Sequence, residues 1–147
     1  MKAVITIDQP EILNRYKPIN SHTHKGIQGH SLIIGGSYGK IGAVSLSSKA
    51  CLKTGCGLVT VFIPRCGYKI VQTANPEVMV LTDVSVKYIT RIAFDFVPQA
   101  IGIGPGLGQD IETHTAIHRF IKTNKIPLVF DADALNILAQ NQQWLTF

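Results

Sequence analysis

The chain has 147 residues, 46% of them hydrophobic and 16% charged, with a formal net charge of +5. That length and apolar content suit one domain with a real core and exclude both intrinsic disorder and a multidomain chain. The basic residues are scattered singly, with no Lys/Arg run and no interleaved aromatic ladder. The charge therefore suits a small anionic ligand and not a nucleic acid.

The longest apolar runs, such as Leu32–Ile34 and Leu58–Ile63, fall far short of the roughly 20 residues needed to span a membrane. The opening Met1–Asp8 is too short in its apolar stretch for a secretory signal, and no small-residue cleavage site follows. Cys51, Cys56 and Cys66 form an odd set without CxxC spacing. They read as reduced structural thiols, not a disulfide framework or a metal site. The expectation is a soluble, cytoplasmic chain without a membrane partner.

Residues 1–23 read as a polar N-terminal arm containing Pro10 and Pro18, with one short helix starting near Pro10. Ser31–Ile34 is a strand that stops at Gly35-Gly36. Ile41–Thr54 follows as a helix with Ala43, Leu46 and Ala50 on one face, ended by Gly55 in a left-handed conformation. Next come a strand at Leu58–Ile63, a short helix at Cys66–Gln72, a strand at Val78–Leu81 and a helix near Ser85–Phe94. A strand at Ala100–Ile103, a helix at Asp110–Thr123, a strand at Leu128–Phe130 and a helix at Ala134–Ala139 complete the chain. The strands are apolar throughout instead of alternating, as happens when helices cover both faces of a parallel sheet. Strands alternating with helices predict a doubly wound α/β fold.

In such sheets ligands sit beyond the carboxyl ends of the strands. Three of those ends carry unusual residues. The first is Gly35-Gly36-Ser37-Tyr38-Gly39-Lys40-Ile41-Gly42-Ala43, where glycines let backbone N–H groups approach a phosphate and a helix N-terminus follows. It is not a P-loop, which needs glycine at Ile34 and a hydroxyl at Ile41. The second is Gly102-Ile103-Gly104-Pro105-Gly106-Leu107-Gly108, whose alternating glycines miss the dinucleotide fingerprint and also suit a plain structural turn. The third is Asp131-Ala132-Asp133-Ala134-Leu135-Asn136. There Asp133 is placed to cap the last helix, and Asp131, ending a buried strand, needs a partner. His114 and His118 are four apart without the glutamate of HExxH, which suits a solvated helix face. Ser47-Ser48 lack a GxSxG elbow.

Taken in order, these stretches resemble one family. His24-Lys25-Gly26, Gly29 to Ser37, Gly39 and Gly42-Ala43 match the opening signature of the NAD(P)H-hydrate dehydratases of the ribokinase-like superfamily. Leu52, Gly55 to Val61, Pro64, Pro76-Glu77 with Met79, Gly102 to Gly108, and Pro127 with Asp131 to Asn136 continue the match. The resemblance implies a three-layer, mostly parallel fold and repair of a damaged cofactor. Water is removed from the S epimer of hydrated NADH or NADPH, driven by ADP or ATP with Mg²⁺. Phosphorylation of the ring hydroxyl turns a poor leaving group into a good one. The family's substrate contacts map onto Ala43 and Gly106, and the neighbouring Gly36, Ser37, Gly104, Asp131, Asp133 and Asn136 join the expected pocket. If Ala43 and Gly106 flank the nicotinamide nucleotide, a larger side chain at either blocks it. If residue 106 instead needs a backbone angle only glycine tolerates, Gly106→Ala alone lowers stability.

The family's later His-Pro-Gly-Glu, Lys-Gly and Gly-Asp segments, which include the catalytic base, have no counterpart before Phe147. Residues 24–147 thus read as the N-terminal half of a dehydratase domain, inactive alone, with catalytic residues expected downstream. An open edge at Leu128–Phe130 would pair with the C-terminal half or drive homo-oligomerisation. A ribokinase-like small-molecule kinase and a non-catalytic NAD-binding module are the alternatives, the first distinguished by accumulation of phosphorylated substrate.

Overall fold

The computed structural model describes residues 5–16, 18 and 22–146; the remainder of the N-terminal arm and Phe147 lie outside them. The elements run α1 (Gln9–Arg15), β1 (His30–Ile34), α2 (Ile41–Lys53), β2 (Leu58–Ile63), α3 (Tyr68–Ala74), β3 (Met79–Thr82), β4 (Ala100–Ile103), α4 (Ile111–Thr123), β5 (Leu128–Phe130) and α5 (Ala132–Gln140). A 3₁₀ turn at Arg65–Gly67 leads into α3 and another follows α5. The five strands form one sheet in the order β3-β2-β1-β4-β5. Every neighbouring pair is parallel.

Strand alternation divides the core in two. Leu32, Ile34, Phe62, Ile101 and Ile103 point to one face, where Ile117 of α4 and Ala134 and Ile137 of α5 cover them. Ile33, Val59, Val61 and Ile63 point to the other, against Ile41 and Val44 of α2 and Val71 of α3. Burial of each such aliphatic side chain is worth roughly 1.5–3 kcal/mol, so the central strand β1, apolar on both faces, anchors the fold. On the α2–α3 side the cover stops short. Val129 of β5 is 64% exposed there, and among the described residues β5 pairs with β4 alone. Leu128–Phe130 is thus the terminal strand of the sheet among the described residues.

Three sequence expectations need correction. On α2 the face bearing Leu46 and Ala50 looks to solvent, and the buried stripe is Ile41, Val44 and Ser48. Those three sit over β1 and β2, whose branched side chains determine which face turns inward. Second, Ser85–Phe94 is not helical. The carboxylate of Asp83, 3% exposed, accepts the N–H groups of Ser85, Thr90 and Arg91 and the hydroxyl of Thr90. A side chain collecting three N–H groups replaces the helical ladder with a tight loop, and fully buried Ile89 plugs it into the core. Third, His114 and His118 do not lie on a solvated face. Both are half-buried, and His118 stacks on Trp144 with ring centroids 4.4 Å apart.

Candidate functional site

Four connections meet beyond the carboxyl ends of the strands, and backbone contacts lace them together. Gly35 ends β1 so close to the β4 loop that a Cβ would stand 2.3 Å from the Pro105 carbonyl oxygen. The Gly36 N–H donates to that same oxygen at 2.8 Å, and the Ser37 hydroxyl donates to the Gly106 carbonyl at 2.8 Å. From the other side the Gly104 N–H donates to the Ile34 carbonyl at 3.0 Å. The Asp83–Arg91 loop closes the remaining flank. Its Ser85, Val86 and Lys87 carbonyls accept from the N–H groups of Arg65, Cys66 and Tyr38.

Gly106 shows why this loop is glycine-rich. Its φ is +64°, and a Cβ would lie 2.3 Å from the Lys40 carbonyl oxygen and 3.1 Å from the Ala43 Cβ. The first turn of α2 therefore rests directly on the backbone of residue 106. Gly104 is tighter still, because its Cβ would fall 1.8 Å from the Asp131 carbonyl oxygen. A side chain at 106 thus disturbs the loop before it meets any ligand, so Gly106→Ala reports stability first. Ala43 is half-buried in regular helix and carries no such backbone demand.

Asp133 is the electrostatic centre of the site. Its Oδ2 accepts the Gly108 N–H at 2.8 Å and lies 3.7 Å from the Lys40 ammonium. Its Oδ1 receives the Gln109 amide at 3.3 Å and the Asn136 amide at 3.5 Å. Burial by itself pushes this carboxyl up. The Gly108 N–H, the Gln109 amide, the Lys40 charge and the Asn136 amide outweigh it and hold the group below its ordinary value. The expected capping role passes elsewhere: Asp131 occupies the N-cap position of α5 and makes no side-chain capping bond. Asp131 is also exposed, so its carboxylate needs no buried partner; what the site uses of it is the backbone carbonyl against Gly104.

The expected site residues therefore sort by position. Gly36, Ser37, Ala43, Gly104, Gly106 and Asp133 converge on one junction. Asn136 reaches it only through Asp133, and the Asp131 side chain stands apart. Lys40 is the residue that sequence reasoning passed over. Its position just before α2 was the available signal, because it occupies the N-cap of a helix that begins without a side-chain capping bond. Uncapped N–H groups, the helix dipole and an ammonium together favour an anion. The described residues hold no cage of protein ligands for a divalent cation. Among them no three His, Cys, Asp or Glu side chains come together, and Asp133 is already committed to four donors.

A doubly wound parallel sheet with its glycine loops gathered at the carboxyl ends of β1 and β4 defines an α/β protein of the class that takes ligands beyond those strand ends. Residues 31–147 match the model of the NAD(P)H-hydrate dehydratase family, and the chain belongs to that family. It is 36% identical over 131 residues to the bifunctional NAD(P)H-hydrate repair enzyme Nnr of Moorella thermoacetica, covering 84% of this chain and 25% of that protein. It is likewise 36% identical over 121 residues to the ADP-dependent (S)-NAD(P)H-hydrate dehydratase of Staphylococcus aureus, covering 80% of this chain and 43% of that one. The fold superposes on a ribokinase-like superfamily protein of Enterococcus faecalis with a TM-score of 0.71 at 24% identity, over 85% of this chain and 44% of the other. The chain thus spans less than half the length of each of these proteins. Among the described residues no helix is long and apolar enough to cross a membrane.

Proposed function

We propose that this chain provides the substrate-side half of a domain that dehydrates the S epimer of hydrated NADH or NADPH, with ADP or ATP as the driving nucleotide. The observation that carries the reading is the Ala43–Gly106 junction. There a helix start and a left-handed glycine meet with almost no side chain between them, at the edge where a parallel sheet takes its ligand. The hydrated nicotinamide ring lies against such a surface close to backbone. The uncapped start of α2 and Lys40 face the phosphates of the nicotinamide nucleotide, and Asp133 holds Gly108 and Lys40 in place for that contact.

In this reading bound ADP or ATP would supply a phosphoryl group to the ring hydroxyl, leaving AMP or ADP. Loss of phosphate together with a proton from the adjacent ring carbon would restore the reduced ring. This chain's own share is binding and orientation, and the groups that move protons belong to the other half of the domain. The bare β5 edge and the exposed Val129 face are where that half, or a second chain carrying it, would pair. The isolated chain is therefore expected to be inactive with either nucleotide and to associate in light scattering. A stable, monodisperse monomer would contradict the edge assignment.

The direct test is Ala43→Leu in the complete enzyme, followed by recovery of NADH absorbance from its hydrate. Weakened substrate binding with nucleotide binding intact is expected. Normal affinity and normal turnover in that variant would overturn the pocket.

A further inference from the structure

At the opposite end of the sheet from the glycine loops, α2 ends in a turn whose chemistry the proposed reaction does not use. The Cys56 N–H donates to the Cys51 carbonyl at 3.2 Å and the Gly55 N–H to the Leu52 carbonyl at 3.1 Å. Gly55 has a φ of +101°. With Thr54 as the C-cap, these are the paired hydrogen bonds of a Schellman closure. That motif brings together the side chains of the third residue before the cap and the second residue after it, normally as an apolar contact. Here both are cysteines. Their thiols also converge on one hydroxyl: Cys56 Sγ lies 3.2 Å from Ser31 Oγ, and Cys51 interacts with both Ser31 and Cys56. Both residues are half-buried.

We infer that Cys51 and Cys56 are a reversible disulfide site, a dithiol that closes across the last turn of α2 when it meets a low-molecular-weight disulfide. The step balances without any other reactant. One cysteine thiolate attacks a sulfur of the small disulfide and releases one small thiol. The second cysteine thiolate attacks the protein-side sulfur of the mixed disulfide and releases the other. Two protein thiols are oxidised, one small disulfide is reduced, and the two protons leave with the two small thiols. The backbone is already held in the closed turn, so the new bond ties the end of α2 to the start of β2 without moving the glycine loops. Cys66 takes no part. It follows the carboxyl end of β2 while Cys56 precedes its amino end, and six residues at about 3.3 Å each separate them far beyond the roughly 7 Å Cα limit for a bridge.

The test is equilibration of the full chain in a series of glutathione and glutathione disulfide mixtures, followed by acid quenching, alkylation and peptide mapping. The expected product has lost two hydrogens, carries a Cys51–Cys56 link, keeps Cys66 alkylated and returns to the dithiol on reduction. Because the folded turn holds the thiols together, the link should form in the native chain at a disulfide-to-thiol ratio at least about tenfold below that needed in 8 M urea. Burial pushes the Cys51 thiol up, so closure should also quicken as the pH rises from 7 to 9. Cys56→Ser should stop at a mixed disulfide or remain reduced. The inference fails if native and unfolded chains close equally readily, if Cys66 takes part in the link, or if Cys51 and Cys56 both stay alkylatable where the unfolded chain has closed.

Discussion

Replacing Asp83 tests the reasoning about the loop that walls the site. Its carboxylate is buried and accepts from the Ser85 N–H at 3.1 Å, the Arg91 N–H at 3.0 Å, the Thr90 hydroxyl at 3.0 Å and the Thr90 N–H. A hydrogen bond to a charged acceptor is worth about 1.5–3 kcal/mol net, and bonds sharing one side chain do not add in full. Asp83→Ala leaves three backbone N–H groups without their acceptor and should cost ~3–5 kcal/mol. Asp83→Asn keeps one oxygen but turns an amide toward N–H donors, and should cost ~2 kcal/mol. Burial by itself raises this carboxyl, yet the N–H groups of Thr90, Arg91 and Ser85 and the Thr90 hydroxyl hold it below its ordinary value. A lowered folded pKa means the stabilisation is complete above the unfolded pKa of about 3.9 and is lost as pH falls through the folded one. Urea midpoints should therefore separate wild type from Asp83→Asn by a constant amount between pH 7 and 5, and the gap should close below pH 4. An undiminished gap at the lowest pH where both fold would refute the charged-acceptor account. So would an Asp83→Asn variant equal to wild type at pH 7.

Asp133→Asn should cost ~1–2 kcal/mol in urea denaturation and speed hydrogen exchange at the Gly108 amide, since a neutral oxygen accepts less strongly. Asp133 also has a lowered folded pKa, so this difference too should fade as pH falls below about 4. Lys40→Ala should cost under ~1 kcal/mol, because the Lys40 side chain is exposed and its ammonium stands 3.7 Å from Asp133, and added salt should shrink the effect. Gly104→Ala should cost ~3–5 kcal/mol, combining a φ of +131° with a Cβ only 1.8 Å from the Asp131 carbonyl oxygen. Thermal melting near the wild-type temperature would show that the loop yields more easily than its contacts imply.

Much of the architecture was legible because local rules agreed with the tertiary outcome. All five strands were found to within a residue at either end, as apolar runs followed by glycine, proline or an acidic residue. The start of α4 was placed to within a residue, and the left-handed stop at Gly55 was read correctly from residue type. The family was legible as well, because its signature is a series of spaced glycines and prolines that needs no coordinates to be read.

The misses share one physical cause. Periodicity says that a face exists but not what lies across from it, so the inward face of α2 was settled by the side chains of β1 and β2. The stretch after β3 has helical spacing, yet one buried carboxylate gathers its N–H groups from residues up to eight positions away. Asp131 and Asp133 are two apart in sequence, and only the path of the β4 loop decides which meets Gly108. The residue types at the site, and their family, were determined by the chain itself. Which of them touch was decided by the packing of separate connections, because a contact between distant loops depends on register and twist that no local pattern encodes.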